Sequence, residues 1–331
     1  IEHLLSSFFI IMYFFFFLIF QILKLFNPFD FNDPVSYAIP GFIILIITEW
    51  YFRRKWKYKE MDYKESASSI GMGLVSVFVD LAVKAVAIGF FIWLYQFRII
   101  KDLGPETMTG FLDLSWHKAH WWIWILCFFG DDFTFYWHHR LSHEIRLFWT
   151  AHINHHSSVE YNLSTALRQS PKEYLYKKIW WIWMPLLGFH PLMILTCMQI
   201  SLIYQFFLHT ELVNRLSFFE KFMNTPSHHR VHHGSDIIYL DKNYAGIFII
   251  WDKIFGTFQV EKQTPNYGIT TNINSYNLFH ITFHEFKSLL RDVKKAKTLK
   301  HKIGYLMHSP GWNPNGEDLR AKTLQKKLEN S

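Results

Sequence analysis

The chain has 331 residues, of which 50% are hydrophobic and 19% are aromatic, and its net charge is +7 when the 19 histidines are neutral. Such a high aromatic content is atypical of a soluble domain. The basic residues flank apolar segments, which favours a role in membrane orientation over nucleic-acid binding. Cys127 and Cys197 lie in apolar stretches, which excludes a disulfide framework and a CxxC metal site.

Apolar segments predict four membrane crossings in chain order. The first, 3–26, is long enough, because about 20 helical residues cross the hydrocarbon layer. The second, 37–52, ends at the basic cluster 53–60, which the positive-inside rule places in the cytoplasm. Segments 68–97 and 116–137 predict the third and fourth crossings.

A further apolar stretch, 179–207, is interrupted by two prolines and a glycine. It predicts a hairpin of two helices that enters and leaves the membrane on one side. With four crossings, 138–178 and 209–331 then share the cytoplasmic face. We predict an all-α fold: a multi-pass membrane helical bundle of about four spans plus a re-entrant helical hairpin, with a cytoplasmic helical cap.

Three histidine clusters fall on this predicted face: "WHHRLSH" (137–143), "HINHH" (152–156) and "HHRVHH" (228–233). Spacings of three and four residues put histidines on one helix face, whereas adjacent residues differ by about 100°. Adjacent histidines can therefore serve different ions. A tetrahedral ion takes about four ligands, so this set fits two ions. A single further histidine, His209, lies where the predicted hairpin returns to this face. The predicted ligands are His139, His143, His152, His155, His156, His209, His229, His232 and His233.

The doubled His138 and His139 leave a one-residue uncertainty in the first cluster, although the spacing to His143 favours His139. His228 is the histidine left over in the third cluster.

Imidazole ligands suit zinc, copper, iron and nickel, so the reaction class needs other arguments. The zinc-protease pattern HExxH is absent, since Leu147 and Ser288 stand where a second histidine would be needed. A transporter would place ionisable residues near the middle of the membrane. A redox metal pair beside an apolar, aromatic-rich bundle favours oxygen chemistry on a lipid chain.

The stretches "DDFTFYWHHRLSH", "AHINHH" and "SHHRVHH" resemble the sterol desaturase / fatty acid hydroxylase superfamily of membrane di-iron oxygenases. "EYNLSTALRQS", "DKNYAGIFIIWD", "YGIT" and "SPGWNP" are similar to the alkylglycerol monooxygenase branch, which cleaves ether lipids. The resemblance covers roughly 40–315. We therefore treat 1–331 as one membrane-embedded hydroxylase-like domain, with a transmembrane part at 1–115, a histidine-box core at 116–260 and a cytoplasmic extension at 261–331.

The resemblance implies that the nine histidines bind two iron ions, and that O2 hydroxylates a membrane lipid next to its ether oxygen, releasing a fatty aldehyde. It implies tetrahydrobiopterin or another reductant, delivered as reduced pterin or by an electron-donor protein, and no nucleic-acid partner. Two alternatives stay open. One is a hydroxylase or desaturase of a sterol or fatty acyl lipid, and the other is a histidine-rich metal transporter or sensor.

A ligating imidazole normally donates its second N–H to a carboxylate or carbonyl. The acids near enough in sequence are Asp131, Asp132, Glu144, Glu160 and Asp236. Asp132 is favoured because it lies two helical turns before His139. With the branch resemblance, we predict Asp132, Glu144, Glu160 and Asn162 as catalytic residues, and Tyr161 and Arg168 as cofactor-binding residues. Segment 244–258 predicts an amphipathic element that lies on the membrane surface, with a core strand or helix as the alternative.

Overall fold

The computed structural model describes residues 34–59, 61–101, 103 and 119–330. The predicted first crossing, 3–26, lies outside these residues. Within the described part every regular element is a helix, which confirms the all-α prediction. Two isolated antiparallel bridges join Met223 to Phe248 and Gly234 to Tyr267.

The described part of the chain contains twelve α-helices and four 3₁₀ turns. The α-helices in the described part are α1 (Pro34–Lys55), α2 (Tyr63–Tyr95), α3 (Trp121–Glu144), α4 (Arg146–His156), α5 (Pro171–Tyr174), α6 (Trp183–Leu187), α7 (Pro191–Phe206), α8 (Pro226–His232), α9 (Ile250–Ile254), α10 (Leu278–Lys295), α11 (Leu299–Met307) and α12 (Ala321–Glu329). Single 3₁₀ turns are formed by Leu163–Leu167, Lys177–Trp181, Phe219–Lys221 and Ile237–Tyr239.

In the described ranges, α2 is the one helix that is long and apolar enough to cross a membrane. Asp62 caps the N-terminus of α2, since its carboxylate accepts the backbone N–H groups of Lys64 and Glu65. The helix exposes large apolar side chains such as Phe78 and Val86. The predicted crossing at 37–52 lies within α1, and residues 121–137 of the predicted crossing at 116–137 lie within α3. The number of crossings stays a prediction.

The predicted hairpin at 179–207 differs from the observed chain in its first half. That half is a 3₁₀ turn followed by the five-residue α6, which contains Pro185. Helix α6 ends at Gly188. The φ of Gly188 is 133°, a backbone conformation that glycine adopts readily and other residues rarely adopt. A Cβ at this position would also collide with the carbonyl oxygen of Ile100. The second half is α7, a continuous helix.

Two apolar clusters hold the helices together. One joins Ile123 and Cys127 of α3 to Met193 and Cys197 of α7, with Trp181 beside them. The other joins α1 to α7, where Phe42 stacks on Phe206 with ring centroids 4.0 Å apart. Because α3 also packs against α4, the carboxyl half of α3 is fixed next to the histidines that follow it in sequence.

Residues 244–249 belong to the core, which corrects the membrane-surface prediction for this half of the segment 244–258, whereas Ile250 and Ile254 are 41% and 60% exposed. Tyr244, Ala245 and Ile249 are at most 1% exposed. Asp252 accepts the backbone N–H groups of Tyr244 and Ala245, each at 2.8 Å. The carboxylate of Asp252 thus holds this segment in a compact turn.

Candidate metal centre

The nine histidines predicted as ligands converge in two neighbouring groups. In each group, one nitrogen from every residue lies within 4.8 Å of the others. Group A consists of His139, His143, His152, His156 and His232. Group B consists of His155, His209, His229 and His233.

Helix geometry explains how the chain divides the histidines. His152 and His156 share one face of α4 and belong to group A, whereas His155 is rotated away and belongs to group B. The C-terminal end of α8 repeats the pattern: His229 and His233 belong to group B, while His232 belongs to group A. Adjacent histidines therefore point to different groups, and the binding of one ion by each group stays a prediction.

Backbone carbonyls fix the orientation of three rings. His139 Nδ1 donates to Tyr244 O at 2.7 Å, His209 Nδ1 to Gln205 O at 2.9 Å, and His232 Nδ1 to Lys242 O at 2.9 Å. A neutral imidazole that donates from Nδ1 carries a lone pair on Nε2. These lone pairs therefore face the interior of the two groups.

The imidazole nitrogens that face the interior of the two groups cannot all form hydrogen bonds with one another. His209 Nε2 lies 3.1 Å from His155 Nε2 and 3.0 Å from His229 Nε2, yet one lone pair accepts one good hydrogen bond. The Nε2 atoms of His143, His232 and His233 are buried without a hydrogen-bond partner. Because a cation satisfies several converging lone pairs at once, the residues present fit one metal ion in each group.

Burial disfavours the charged form of an imidazole, and ligation requires the neutral form. All nine are 5% exposed or less. Burial lowers the pKa of His232 to about 3 and that of His209 to about 4. Burial, together with the neighbouring imidazoles His156 and His155, also holds the pKa of His233 well below its ordinary value.

These depressed pKa values predict a pH-dependent stability. Below the unfolded-state histidine pKa of about 6.5, the unfolded chain binds more protons than the folded chain. The free energy of unfolding is therefore highest above this pH and decreases as the pH falls toward 4. At about pH 5, each histidine held neutral weakens folding by about 2 kcal/mol. Denaturation of the metal-free protein at about pH 7 and pH 5 measures this loss. Equal stability at the two values would contradict it.

Two acids not predicted from the sequence contact the imidazoles. Glu173, at the end of a short turn, lies 3.0 Å from His138 Nε2 and 3.3 Å from His152 Nδ1. Asp241 lies 3.4 Å from His143 Nδ1. Burial opposes ionisation of Glu173, but the hydrogen bonds from His138 and His152 outweigh it and hold the pKa of this carboxyl well below its usual range. Glu173 thus remains an anion beside group A.

Glu173→Gln is expected to lower metal affinity about 10- to 100-fold, because the amide loses the charge that orients His152. Metal content after dialysis against a chelator measures the effect. Glu144→Gln is the matched control, since Glu144 pairs with Arg140 and Lys322. Equal metal loss from both variants would show that Glu173 has no special role.

In the described ranges, none of the five acids predicted from the sequence is bonded to an imidazole. Asp131 accepts from Trp181 Nε1 at 2.7 Å, and Asp236 accepts from Asn266. Glu160 accepts the backbone N–H of Asp62 at 2.7 Å. Their expected contact with ligands is wrong, because tertiary folding turns each carboxylate toward a different donor.

Asp132 contacts the turn that follows Tyr244 and not a histidine. Its carboxylate accepts the backbone N–H groups of Ile247 at 2.7 Å and Phe248 at 3.0 Å, and the indole N–H of Trp251 at 2.9 Å. This turn follows Tyr244, whose carbonyl orients His139. Asp132 is therefore placed to position the segment that fixes His139. Direct catalytic roles for Asp132, Glu144 and Glu160 stay predictions.

The residues predicted to contact a cofactor or substrate are buried. Tyr161 stacks on Tyr267, with ring centroids 4.8 Å apart, and lies 5.2 Å from the ring of His233. Asn162 caps the Leu163–Leu167 turn, accepting from Ser164 N at 3.0 Å. Tyr161 thus borders group B, whereas Asn162 shapes the adjoining turn, and their functional roles stay predictions.

Arg168 joins three segments and is 1% exposed. Its guanidinium donates to Asn154 O at 3.1 Å and to Ser68 Oγ at 2.8 Å, and it pairs with Glu65 at 3.2 Å. These bonds tie α2 to α4, which carries three of the histidines. They favour a structural role over the predicted cofactor contact.

Arg168→Ala is expected to cost about 3–5 kcal/mol of folding stability, because it leaves Glu65 as a buried, unpaired carboxylate. Thermal unfolding of the detergent-solubilised protein measures the loss. Full stability combined with loss of cofactor binding would instead support the role predicted from the sequence.

The structure also separates the doubled histidines. His139 belongs to group A, whereas His138 lies outside both groups and contacts Glu173. His228 likewise lies outside both groups, with its ring 5.3 Å from Phe258. The assignment of His139 and the exclusion of His228 agree with the predicted spacing.

Comparison with known proteins adds family information to this geometry. The fatty acid hydroxylase family model matches residues 124–257, which contain all nine histidines. No solved structure matches the chain.

Three relatives are named alkylglycerol monooxygenase. The Xenopus tropicalis protein is 35% identical over 291 residues, covering 87% of this chain and 61% of the relative. The Homo sapiens protein is 37% identical over 285 residues, covering 85% and 60%. The Caenorhabditis elegans protein is 37% identical over 265 residues, covering 76% and 49%. The chain spans less than two thirds of the length of these relatives. Residues 124–257 match the fatty acid hydroxylase family model, and the chain is similar to the alkylglycerol monooxygenases over most of its length.

Proposed function

We propose that this chain is a di-iron lipid monooxygenase that hydroxylates the alkyl chain of an alkylglycerol next to the ether oxygen. The observation that carries the proposal is the pair of buried histidine groups in a relative of the alkylglycerol monooxygenases. Iron held by the two groups would supply activation of O2, which redox-inert zinc cannot supply.

The atoms of the proposed reaction balance with an external reductant. One oxygen atom of O2 enters the C–H bond beside the ether oxygen, and the other leaves as water after taking two electrons and two protons. The resulting hemiacetal loses its C–O bond to glycerol and gives a fatty aldehyde and free glycerol. The electrons come from tetrahydrobiopterin, another reductant or an electron-donor protein.

The chain's own residues prepare the site for this chemistry. All nine imidazoles are buried, and burial favours the neutral form of an imidazole that binds a metal. The carbonyls of Tyr244, Gln205 and Lys242 orient three of the rings. Glu173 supplies one fixed negative charge beside group A, which partly offsets the charge of a bound cation.

An apolar cavity of about 220 Å³ supports a lipid substrate. Leu45 and Phe52 of α1, Phe207 and Leu208 line it, together with Phe222 and Met223 before α8. The only carboxylate of its lining, that of Glu49, is bonded to Thr210 and to Leu163 N. An alkyl chain would therefore meet an apolar surface next to the elements that carry His209 and His229.

We further propose the topology of four crossings and a re-entrant hairpin, with the centre on the cytoplasmic side. The exposed apolar surface of α2 supports an integral membrane protein. The basic residues Arg53, Arg54 and Lys55 at the end of α1 support a cytoplasmic position for that end.

The function is tested by incubating the purified protein with a labelled alkylglycerol, a sterol or a free fatty acid, with and without reduced pterin. Aldehyde release from the alkylglycerol alone is expected. Oxidation of the sterol or the fatty acid would favour the other lipid hydroxylases. Metal analysis separates the protein classes: two irons per chain are expected, whereas a single zinc and no turnover would favour a metal transporter or sensor.

A further inference from the structure

Segment 215–222 exposes three phenylalanine side chains next to one another. Phe218 is 63% exposed, and Phe219 and Phe222 are exposed as well. The ring centroid of Phe218 lies 5.9 Å from that of Phe219 and 5.3 Å from that of Phe222. A single exposed apolar side chain is ordinary, whereas a contiguous patch of them indicates a surface that contacts an apolar partner.

Helix α9 extends this aromatic surface. Ile249 N donates to Phe222 O at 3.0 Å, so the start of α9 lies beside the phenylalanine residues. Ile250 and Ile254 of α9 are both exposed, and their spacing of four residues places them on one face of the helix. The exposed apolar patch therefore consists of Phe218, Phe219, Phe222, Ile250 and Ile254.

Basic side chains border the apolar patch. Arg215, Lys221 and Lys253 are exposed. Lys253 Nζ donates to Glu220 O at 3.2 Å and to Lys221 O at 2.6 Å, which joins α9 to the phenylalanine segment. Exposed aromatic side chains beside lysine and arginine are typical of a surface that contacts a leaflet of anionic phospholipids.

The carboxylates near these cations are engaged elsewhere. Glu220 accepts a backbone N–H of its own turn at 3.1 Å. The backbone carbonyl of Glu261 accepts from Arg215, but its carboxylate pairs with Arg230 at 2.7 Å. Asp252 of α9 is buried and accepts two backbone N–H groups. The positive charge of the border thus stays available for phosphate groups.

The apolar patch also borders the apolar cavity of about 220 Å³. Phe219 and Phe222 line this cavity together with Phe52 of α1, whereas Phe218 lies outside its lining. Two residues of the patch therefore separate the interior of the cavity from the outer surface. The proposed topology places the end of α1 that carries Phe52 at the cytoplasmic surface of the membrane, so the patch lies at the same surface.

We propose that the apolar patch lies in the cytoplasmic leaflet of a bilayer that contains anionic phospholipids, and that it forms the entrance by which an alkyl chain passes from this leaflet into the cavity. The inference rests on the proposed function for the identity of the lipid that enters. The five apolar side chains lie against hydrocarbon, and the three cations face phosphate groups. A lipid then reaches the cavity without crossing water.

Fluorescence quenching tests the contact with the leaflet. Phe218→Cys is labelled with a small fluorophore, and the protein is reconstituted into nanodiscs of phosphatidylcholine and phosphatidylserine. The unmodified protein is the unlabelled reference, since Cys127 and Cys197 are buried. We expect quenching by a spin-labelled phospholipid and protection from iodide.

Glu329→Cys is the matched control for this measurement. Glu329 is exposed at the end of α12, so a label there should be quenched by iodide. Iodide quenching at Phe218, or equal quenching by the spin-labelled phospholipid at both positions, overturns the proposal.

Kinetics in the same nanodiscs test the entrance. Phe218→Glu should raise KM for hexadecyl glycerol ether at least about tenfold with kcat unchanged, because a charged side chain is unfavourable in hydrocarbon. Phe218→Leu stays apolar and should keep KM near that of the unmodified protein. KM for water-soluble butyl glycerol ether should change little in either variant, since this substrate need not leave a bilayer. An unchanged KM for the hexadecyl ether in Phe218→Glu overturns the entrance.

Failure of this inference is distinguishable from failure of the proposed function. If the ether is cleaved and the label at Phe218 is quenched by iodide, the function stands and the inference is wrong. If the label is quenched by the phospholipid and no ether is cleaved, the proposed substrate is wrong and the contact with the leaflet stands.

Discussion

Replacement of His155 or His232 by alanine is expected to abolish turnover while leaving membrane insertion intact. His155 belongs to group B and His232 to group A, so each change removes a ligand from a different group. Losing a residue that merely supports a ligand costs about 10- to 100-fold, and loss of a ligand itself should exceed this. Iron content, aldehyde release and membrane fractionation of each variant provide the measurement.

His228→Ala is the matched control. His228 lies in the same helix as His232 and is equally buried, but it belongs to neither group. It should retain both irons and measurable turnover. Full activity in either ligand variant would reject a two-metal centre, and loss of iron from the control would show that the third histidine cluster responds to any change in packing.

Asp132→Ala is expected to destabilise the fold by at least about 3 kcal/mol, because three buried donors lose their acceptor at about 1–3 kcal/mol each. The donors are the backbone N–H groups of Ile247 and Phe248 and the indole of Trp251. Iron binding should fall with stability, since this turn fixes the carbonyl that orients His139. Thermal unfolding and metal content are measured on the same preparation.

Asp131→Asn provides the comparison for Asp132. The neighbouring acid is equally buried but accepts one bond, from Trp181 Nε1, and asparagine keeps an acceptor oxygen for it. Its stability should change little. If Asp132→Ala keeps its stability and its iron but loses turnover, Asp132 acts directly in the reaction, as the sequence alone suggested.

The division of the histidines between the two groups could be predicted from the sequence because it depends on local helix geometry. Spacings of three and four residues place His152 with His155 and His156 on adjoining helix faces whatever the rest of the fold does. His209 has no such pattern, and its assignment needed the predicted topology that returns it to the same face. The family resemblance then indicated the metal and the reaction, which imidazole spacing leaves open.

The acid that contacts the imidazoles could not be predicted from local spacing. Glu173 lies 21 residues after His152, and only the packing of a short turn against α4 brings the two together. Sequence proximity favoured Glu144 and Glu160, but their carboxylates face other donors. The segment 244–258 has a composition that suits either a membrane surface or a core, and the bonds to Asp132 and Asp252 hold its first half in the core.

The alternation of histidines between the two groups has a consequence for how the gene can change. Inserting one residue between His152 and His155 would rotate the following side chains by about 100°, which would turn His155 toward group A and His156 away from both groups. The same holds in α8 between His229 and His232. Substitutions elsewhere in these helices leave the ligand directions intact, whereas a single-codon insertion or deletion disrupts both ion sites together. In any chain that shares this centre, reading-frame-preserving length changes should therefore be absent from these two helices and confined to the connecting turns.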